Sequence, residues 1–141
     1  MIGRRDLLLT ACLPLGAVLG CGSVSVDPGS VHTVVLDNES KDEIHDAQII
    51  YGTVSIPRRP RMLGSKGGYE HDARMVVPET ARVVWRTADS RAHVIDVALR
   101  RHVPHPSHFA GRLVFEFDDD GLRVILMERA PQGLWDAKRI F

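Results

Sequence analysis

Three histidines recur at every third position in Arg101-His102-Val103-Pro104-His105-Pro106-Ser107-His108. Imidazole is a borderline ligand suited to zinc, copper or nickel. His102, His105 and His108 with a water in the fourth position would make an open catalytic zinc site. Pro104 and Pro106 hold the backbone extended, so spacing alone does not bring the rings to one point. No Asp or Glu within the segment orients them. A solvated loop is the first reading. A zinc site serving a small hydrolase is the alternative, with His71, Asp72 and His93 as the residues elsewhere that would complete it. A second cluster, Arg58-Arg59-Pro60-Arg61, runs into Gly64-Ser65-Lys66-Gly67-Gly68. Four cations around a glycine-rich loop suit phosphate, lipid headgroups or an acidic partner. The P-loop spacing is absent, and Lys66 follows Ser65 instead of preceding it. Guanidinium groups favour bidentate contacts with carboxylates and are enriched at interface hot spots. Arg58, Arg59, Arg61 and Lys66 are therefore the candidate partner-binding residues. Asp118-Asp119-Asp120-Gly121 lacks the alternating ligands and distal Glu of a calcium loop and reads as a hairpin turn. Glu39, Asp42, Glu43 and Asp46 form an acidic stretch, a solvated loop or one helical turn, whose charge opposes that of the arginines. No G-x-S-x-G elbow is present, and no residue is expected to be catalytic.

The two cysteines, Cys12 and Cys21, both fall near the start of the 141-residue chain. The body therefore carries neither a disulfide nor a cysteine-based zinc framework. Arg4 and Arg5 precede an apolar run from Leu7 to Val18, and small residues follow up to Gly20. This order describes a secretory signal over residues 1–20, too short to span a bilayer. Val18-Leu19-Gly20-Cys21 resembles a lipobox. That resemblance implies cleavage before Cys21 and a diacylglycerol on its thiol, and two or more acyl chains give stable anchoring. Gly3-Arg4-Arg5-Asp6-Leu7-Leu8 also resembles a twin-arginine signal, the alternative being the basic start of an ordinary secretory one. Gly22 and Ser23 lack the aspartate that retains some lipoproteins in the inner membrane, which favours the outer membrane. Residues 21–30, small and polar and broken by Pro28 and Gly29, suit a flexible tether between lipid and domain.

Charge is balanced at 18 basic against 18 acidic residues. That excludes a nucleic-acid binder relying on bulk basicity. Beyond residue 30 the pattern is of strands divided by turn residues. Val31–Leu36 is rich in β-branched residues and stops at Asp37-Asn38. Gln48–Ile56 ends at Pro57, Ala73–Val77 at Pro78, and Ala81–Thr87 at Asp89-Ser90. Ala92–Leu99, Arg112–Phe117 and Leu122–Met127 complete about seven strands. Gly133–Phe141 is the one segment with a trace of helical character. The expectation is a single all-β domain over residues 31–141, an antiparallel β-sandwich or small barrel with a short C-terminal helix. Leu113, Phe115 and Phe117 share one face, as do Val83 and Trp85. Ile50, Val54, Val124 and Leu126 are expected opposite them.

From Val77 to Asp89, through the strand around Asp96-Val97 and on to Gly111–Phe117, the layout resembles uncharacterised small proteobacterial lipoproteins. In these a valine-tryptophan strand precedes an acidic turn and two later strands. It is also similar to some periplasmic immunity lipoproteins that neutralise secreted toxins. The resemblance covers about half the chain and implies no catalytic residue. The function expected is that of a membrane-anchored periplasmic module that binds an envelope protein without chemistry and without a cofactor.

Overall fold

The computed structural model describes residues 31–65 and 68–141. The segments expected to be signal and tether lie with Cys21 outside the described residues, as does Lys66. The described residues form nine strands: β1 (Val31–Asn38), β2 (Ile44–Tyr51), β3 (Val54–Met62), β4 (Gly68–Arg74), β5 (Thr80–Thr87), β6 (Ala92–Ala98), β7 (Arg112–Asp118), β8 (Gly121–Arg129) and β9 (Trp135–Arg139). A 3-10 turn, Arg100–His102, precedes the proline-rich segment. One sheet has the order β4-β1-β7-β8-β9 and the other β3-β2-β5-β6. The two face each other as an open sandwich, and neither closes into a barrel.

Period-two alternation decides which side chains meet between the sheets. Val34 and Leu36 of β1, Leu113, Phe115 and Phe117 of β7, and Leu122, Val124 and Leu126 of β8 point inward from the first sheet. Ala47, Ile49 and Tyr51 of β2, Ile56 of β3, and Ala81, Val83 and Trp85 of β5 meet them from the second. His32 and Tyr51 carry polarity into this core, and their Nε2 and OH lie 2.8 Å apart in a shared hydrogen bond. Burial pushes the Tyr51 phenol far above its ordinary range, so it stays protonated.

Several expectations need correction. The strand expected over Ala73–Val77 lies earlier in the chain, as β4 ending at Arg74. Gln48–Ile56 is not one strand but a hairpin, because Gly52 (φ +64°) turns the chain between β2 and β3. The turn keeps Ile49 and Tyr51 inward, so Ile50 faces solvent at 40% exposure, and Val54 sits at the hairpin tip at 43%. Residues 57–62 belong to strand β3 rather than to a loop. Pro57 and Pro60 are tolerated because β3 is the edge of its sheet. The C-terminal segment is strand β9, antiparallel to β8, not a helix. The pairing is also not wholly antiparallel, since β1 runs parallel to β7.

Asp46 lies at the β2 bulge, and Glu43 immediately precedes β2. Their carboxyls are held below the ordinary range chiefly by hydrogen bonds from Arg58 and Arg61 respectively. Thr87 does the same for Asp89, and Arg82 for Asp96. A carboxylate whose folded pKa is depressed stabilises the fold above its unfolded pKa, and that contribution is lost as pH falls through the folded value. Glu39, raised mainly by Asp37, acts in the opposite sense. The melting temperature is expected to be level from neutral pH to about pH 5 and to fall between about pH 5 and 3. A melting curve unchanged at pH 3 would refute a stabilising role for these pairs.

Candidate functional site

Because β1 and β7 are parallel, both end at the same rim of the sandwich. There the β1–β2 loop and the β7–β8 turn meet the turn from β5 to β6, and the three enclose an open cleft of about 570 Å³. Its floor is aromatic. Trp85, at 3% exposure, packs on Phe117 from the opposite sheet with ring centroids 5.2 Å apart. His93 is paired with Trp85 across the β5–β6 ladder and stacks on it at 4.8 Å with the rings 11° from parallel.

The rim is acidic. Asp42 and Glu43 come from the first loop, Asp89 from the second, and Asp118, Asp119 and Asp120 from the third, against the cations Lys41 and Arg91. Several of these carboxylates are committed to local structure. Asp89 accepts from the Thr87 hydroxyl at 2.5 Å and from the Arg91 amide at 3.2 Å, which closes the β5–β6 turn. Asp119 accepts from the Lys41 amide at 3.1 Å, tying two of the loops together. Asp118 pairs with Arg123 at 3.0 Å, and Glu43 pairs with Arg61. Among the described residues Asp42 and Asp120 form no ion pair within 4.0 Å.

The first loop is held from beneath by Asn38, which is wholly buried. Its amide donates to the carbonyls of Asp42 at 3.0 Å and Met62 at 3.1 Å. Its Oδ1 accepts from the Ser40 hydroxyl at 2.7 Å and the Ser40 amide at 3.2 Å. Asn38 reads in the sequence as a strand terminator, and its scaffolding role lies beyond any local pattern.

The arginines do not form a free basic loop. Arg58 pairs with Asp46, to which Arg86 also reaches at 3.7 Å, and Arg61 donates to Glu43 at 2.6 Å. The opposition of charge between the two segments is thus realised as internal pairing. Arg59 lies over the Tyr69 ring, 3.1 Å from its centroid, bridging the edges of the two sheets. The three histidines also stay apart. His102 sits in the 3-10 turn and accepts from Arg101 at 3.0 Å, while His105, in a left-handed conformation at φ +50°, is exposed with His108. Among the described residues no group of three or more His, Cys, Asp or Glu is placed to hold a metal ion.

No protein-family model matches the chain, and no curated protein matches it. Among solved structures, the chain is similar to the NMR structure of a protein from Eubacterium rectale. The identity is 14% and the TM-score 0.48, over 71% of this chain and 91% of that one.

An aromatic floor under an anionic rim accepts one kind of group well. An Arg or Lys side chain places its charge among the carboxylates and its stem against His93, the part-exposed ring, while Trp85 and Phe117 lie buried beneath as support.

Proposed function

We propose that this protein is a non-enzymatic lipoprotein of the bacterial envelope, acylated at Cys21, whose domain binds a partner protein at the acidic cleft. The observation that carries this reading is the cleft itself: a rim of six carboxylates above the Trp85–Phe117–His93 floor, of which Asp42 and Asp120 form no ion pair among the described residues. Loops at one end of a sandwich are the usual place for recognition on a rigid β scaffold. Because Arg58 and Arg61 are answered within the chain, the cleft is the better contact surface than the β3 arginines. Neutralisation of a secreted toxin is the sharpest form of the function, and a supporting role in an envelope or secretion complex is the broader one. The lipobox-like Cys21, with the tether to residue 30, supports a periplasm-facing anchor, and Gly22-Ser23 supports sorting to the outer membrane.

The test is cross-linking in intact cells, with partners identified by mass spectrometry, for the wild type, Cys21→Ser and the double variant Asp42→Asn/Asp120→Asn. The Cys21 variant should leave the membrane fraction. The double variant should remain anchored but lose partner capture. An exposed charge is worth up to about 1 kcal/mol, so the pair should weaken binding by about tenfold, most clearly at low salt. Undiminished capture at low salt would place the contact elsewhere.

A further inference from the structure

We infer that β6 is a self-pairing edge, through which two copies of this chain join their four-stranded sheets into one continuous sheet. This does not depend on the reading of the cleft, although His93 of β6 also lines it.

The argument begins with the ladder between β5 and β6. Just beyond its two ends, the Leu99 amide donates to the Glu79 carbonyl at 2.9 Å, and the Thr87 amide donates to the Arg91 carbonyl at 3.0 Å. Both pairs continue the β5–β6 register without a shift. In an antiparallel ladder hydrogen-bonded and non-hydrogen-bonded pairs alternate. The odd-numbered residues of β6 therefore bond to β5. Ala92, Val94, Asp96 and Ala98 aim their N–H and C=O groups away from it, and among the described residues β6 has no neighbour on that side.

Natural sheets blunt such edges with proline, charge, bulges or short length. The other three edges are blunted in this way. β3 carries Pro57, Pro60 and a bulge, β4 carries Glu70, Asp72 and Arg74, and β9 has only five residues, with Asp136, Lys138 and Arg139 among them. β6 reads AHVIDVA. Its one charge, Asp96, is already held by Arg82 in two hydrogen bonds of 2.7 and 2.8 Å. Val94, at 60% exposure, stands beside it on the outer face.

The same seven residues complement themselves when reversed. Full antiparallel overlap puts Ile95 opposite Ile95 of the second copy, Ala92 opposite Ala98, His93 opposite Val97 and Val94 opposite Asp96. No charge meets its like directly, small faces small, and the four outward residues of each strand meet each other as hydrogen-bonded pairs. That fit favours a second copy over a foreign strand.

The register makes a specific cross-linking prediction. Facing Ile95 residues form a non-hydrogen-bonded pair, with Cα atoms about 4.5 Å apart, within the disulfide range of about 4.4–6.8 Å. Val94 residues are offset by two positions and lie beyond that range. In the full chain with Cys12 and Cys21 replaced by serine, Ile95→Cys should oxidise to a dimer and Val94→Cys should not. Sedimentation of the serine-substituted chain should show a dimer that forms with rising concentration. Val94→Pro removes only an outward N–H and should weaken association by about tenfold or more. Val94→Lys, which spares the backbone, should act in the same direction, and circular dichroism reports whether each variant is folded. A wild-type chain that is monomeric at every concentration overturns the proposal. So does cross-linking through Val94→Cys in preference to Ile95→Cys, or capture of a different protein by Ile95→Cys in cells without the homodimer.

Discussion

Replacing Trp85 with alanine should cost about 3–5 kcal/mol of stability, the range for truncating a large buried aromatic. Trp85 lies on β5, flanked by β2 and β6, and touches Phe117 across the sandwich and His93 along its own sheet. The indole is thus the point where the two sheets meet beneath the cleft, and its loss leaves a void that the surrounding strands cannot close without shifting. Urea unfolding followed by circular dichroism is the measurement. With a slope of about 1–3 kcal/mol/M for a small domain, the midpoint should fall by at least about 1 M. Trp85→Phe keeps a ring on Phe117 and should cost clearly less. A midpoint unchanged in the alanine variant would mean that the sheets do not depend on this contact, and the cleft floor would need another support.

The elements legible in the sequence are those whose cause is local. Arg112–Phe117 and Leu122–Met127 alternate cleanly around an Asp-Gly turn, and they form β7 and β8 with Asp118 opposite Gly121. Val83 and Trp85 face inward as their alternation requires. What escaped has nonlocal causes. Pro57 and Pro60 look like breakers until β3 is known to be an edge strand. A single glycine in the run from Gln48 to Ile56 hides a hairpin. The exposed, mixed residues of β9 are ordered by pairing with β8, which no periodicity in Trp135–Arg139 announces. The parallel pairing of β1 with β7 joins segments about eighty residues apart and leaves no mark on either.

The same division holds at the site. Each acidic turn was visible, and each had sufficient reason as turn chemistry: Asp89 caps its turn and Asp118 accepts from the Asp120 amide at 2.9 Å. That all of them gather around Trp85 follows only from topology. The arginine cluster was conspicuous for its composition, yet its partners Asp46 and Glu43 are twelve and eighteen residues away in sequence and answer its charge across the β2–β3 hairpin.

Asn38→Ala should be nearly as damaging as the loss of the indole, at about 3 kcal/mol, although it removes only a small polar side chain. The side chain is fully buried and makes four hydrogen bonds, two of them to the carbonyls of Asp42 and Met62. Deleting it takes the amide donor from the buried Met62 carbonyl and one of two donors from the Asp42 carbonyl, and a buried group left without its partner costs about 1–3 kcal/mol unless water enters. The Ser40 hydroxyl retains the Asp42 carbonyl as acceptor at 2.7 Å, which limits the total. Asn38→Asp separates the two halves of the network. It keeps the acceptor for Ser40 but removes the amide donor and buries a charge against two carbonyls, so it should destabilise at least as much as alanine at neutral pH. Lowering the pH to protonate the new carboxyl should recover part of that loss. The consequence for the cleft is separable from stability, since Asn38 fixes the loop bearing Asp42 and Glu43 against β3. Amide hydrogen exchange at residues 39–43 should rise in Asn38→Ala while exchange in β7 and β8 changes only with global stability. Equal acceleration in all three segments would mean that Asn38 supports the fold as a whole and does not specifically place the acidic rim.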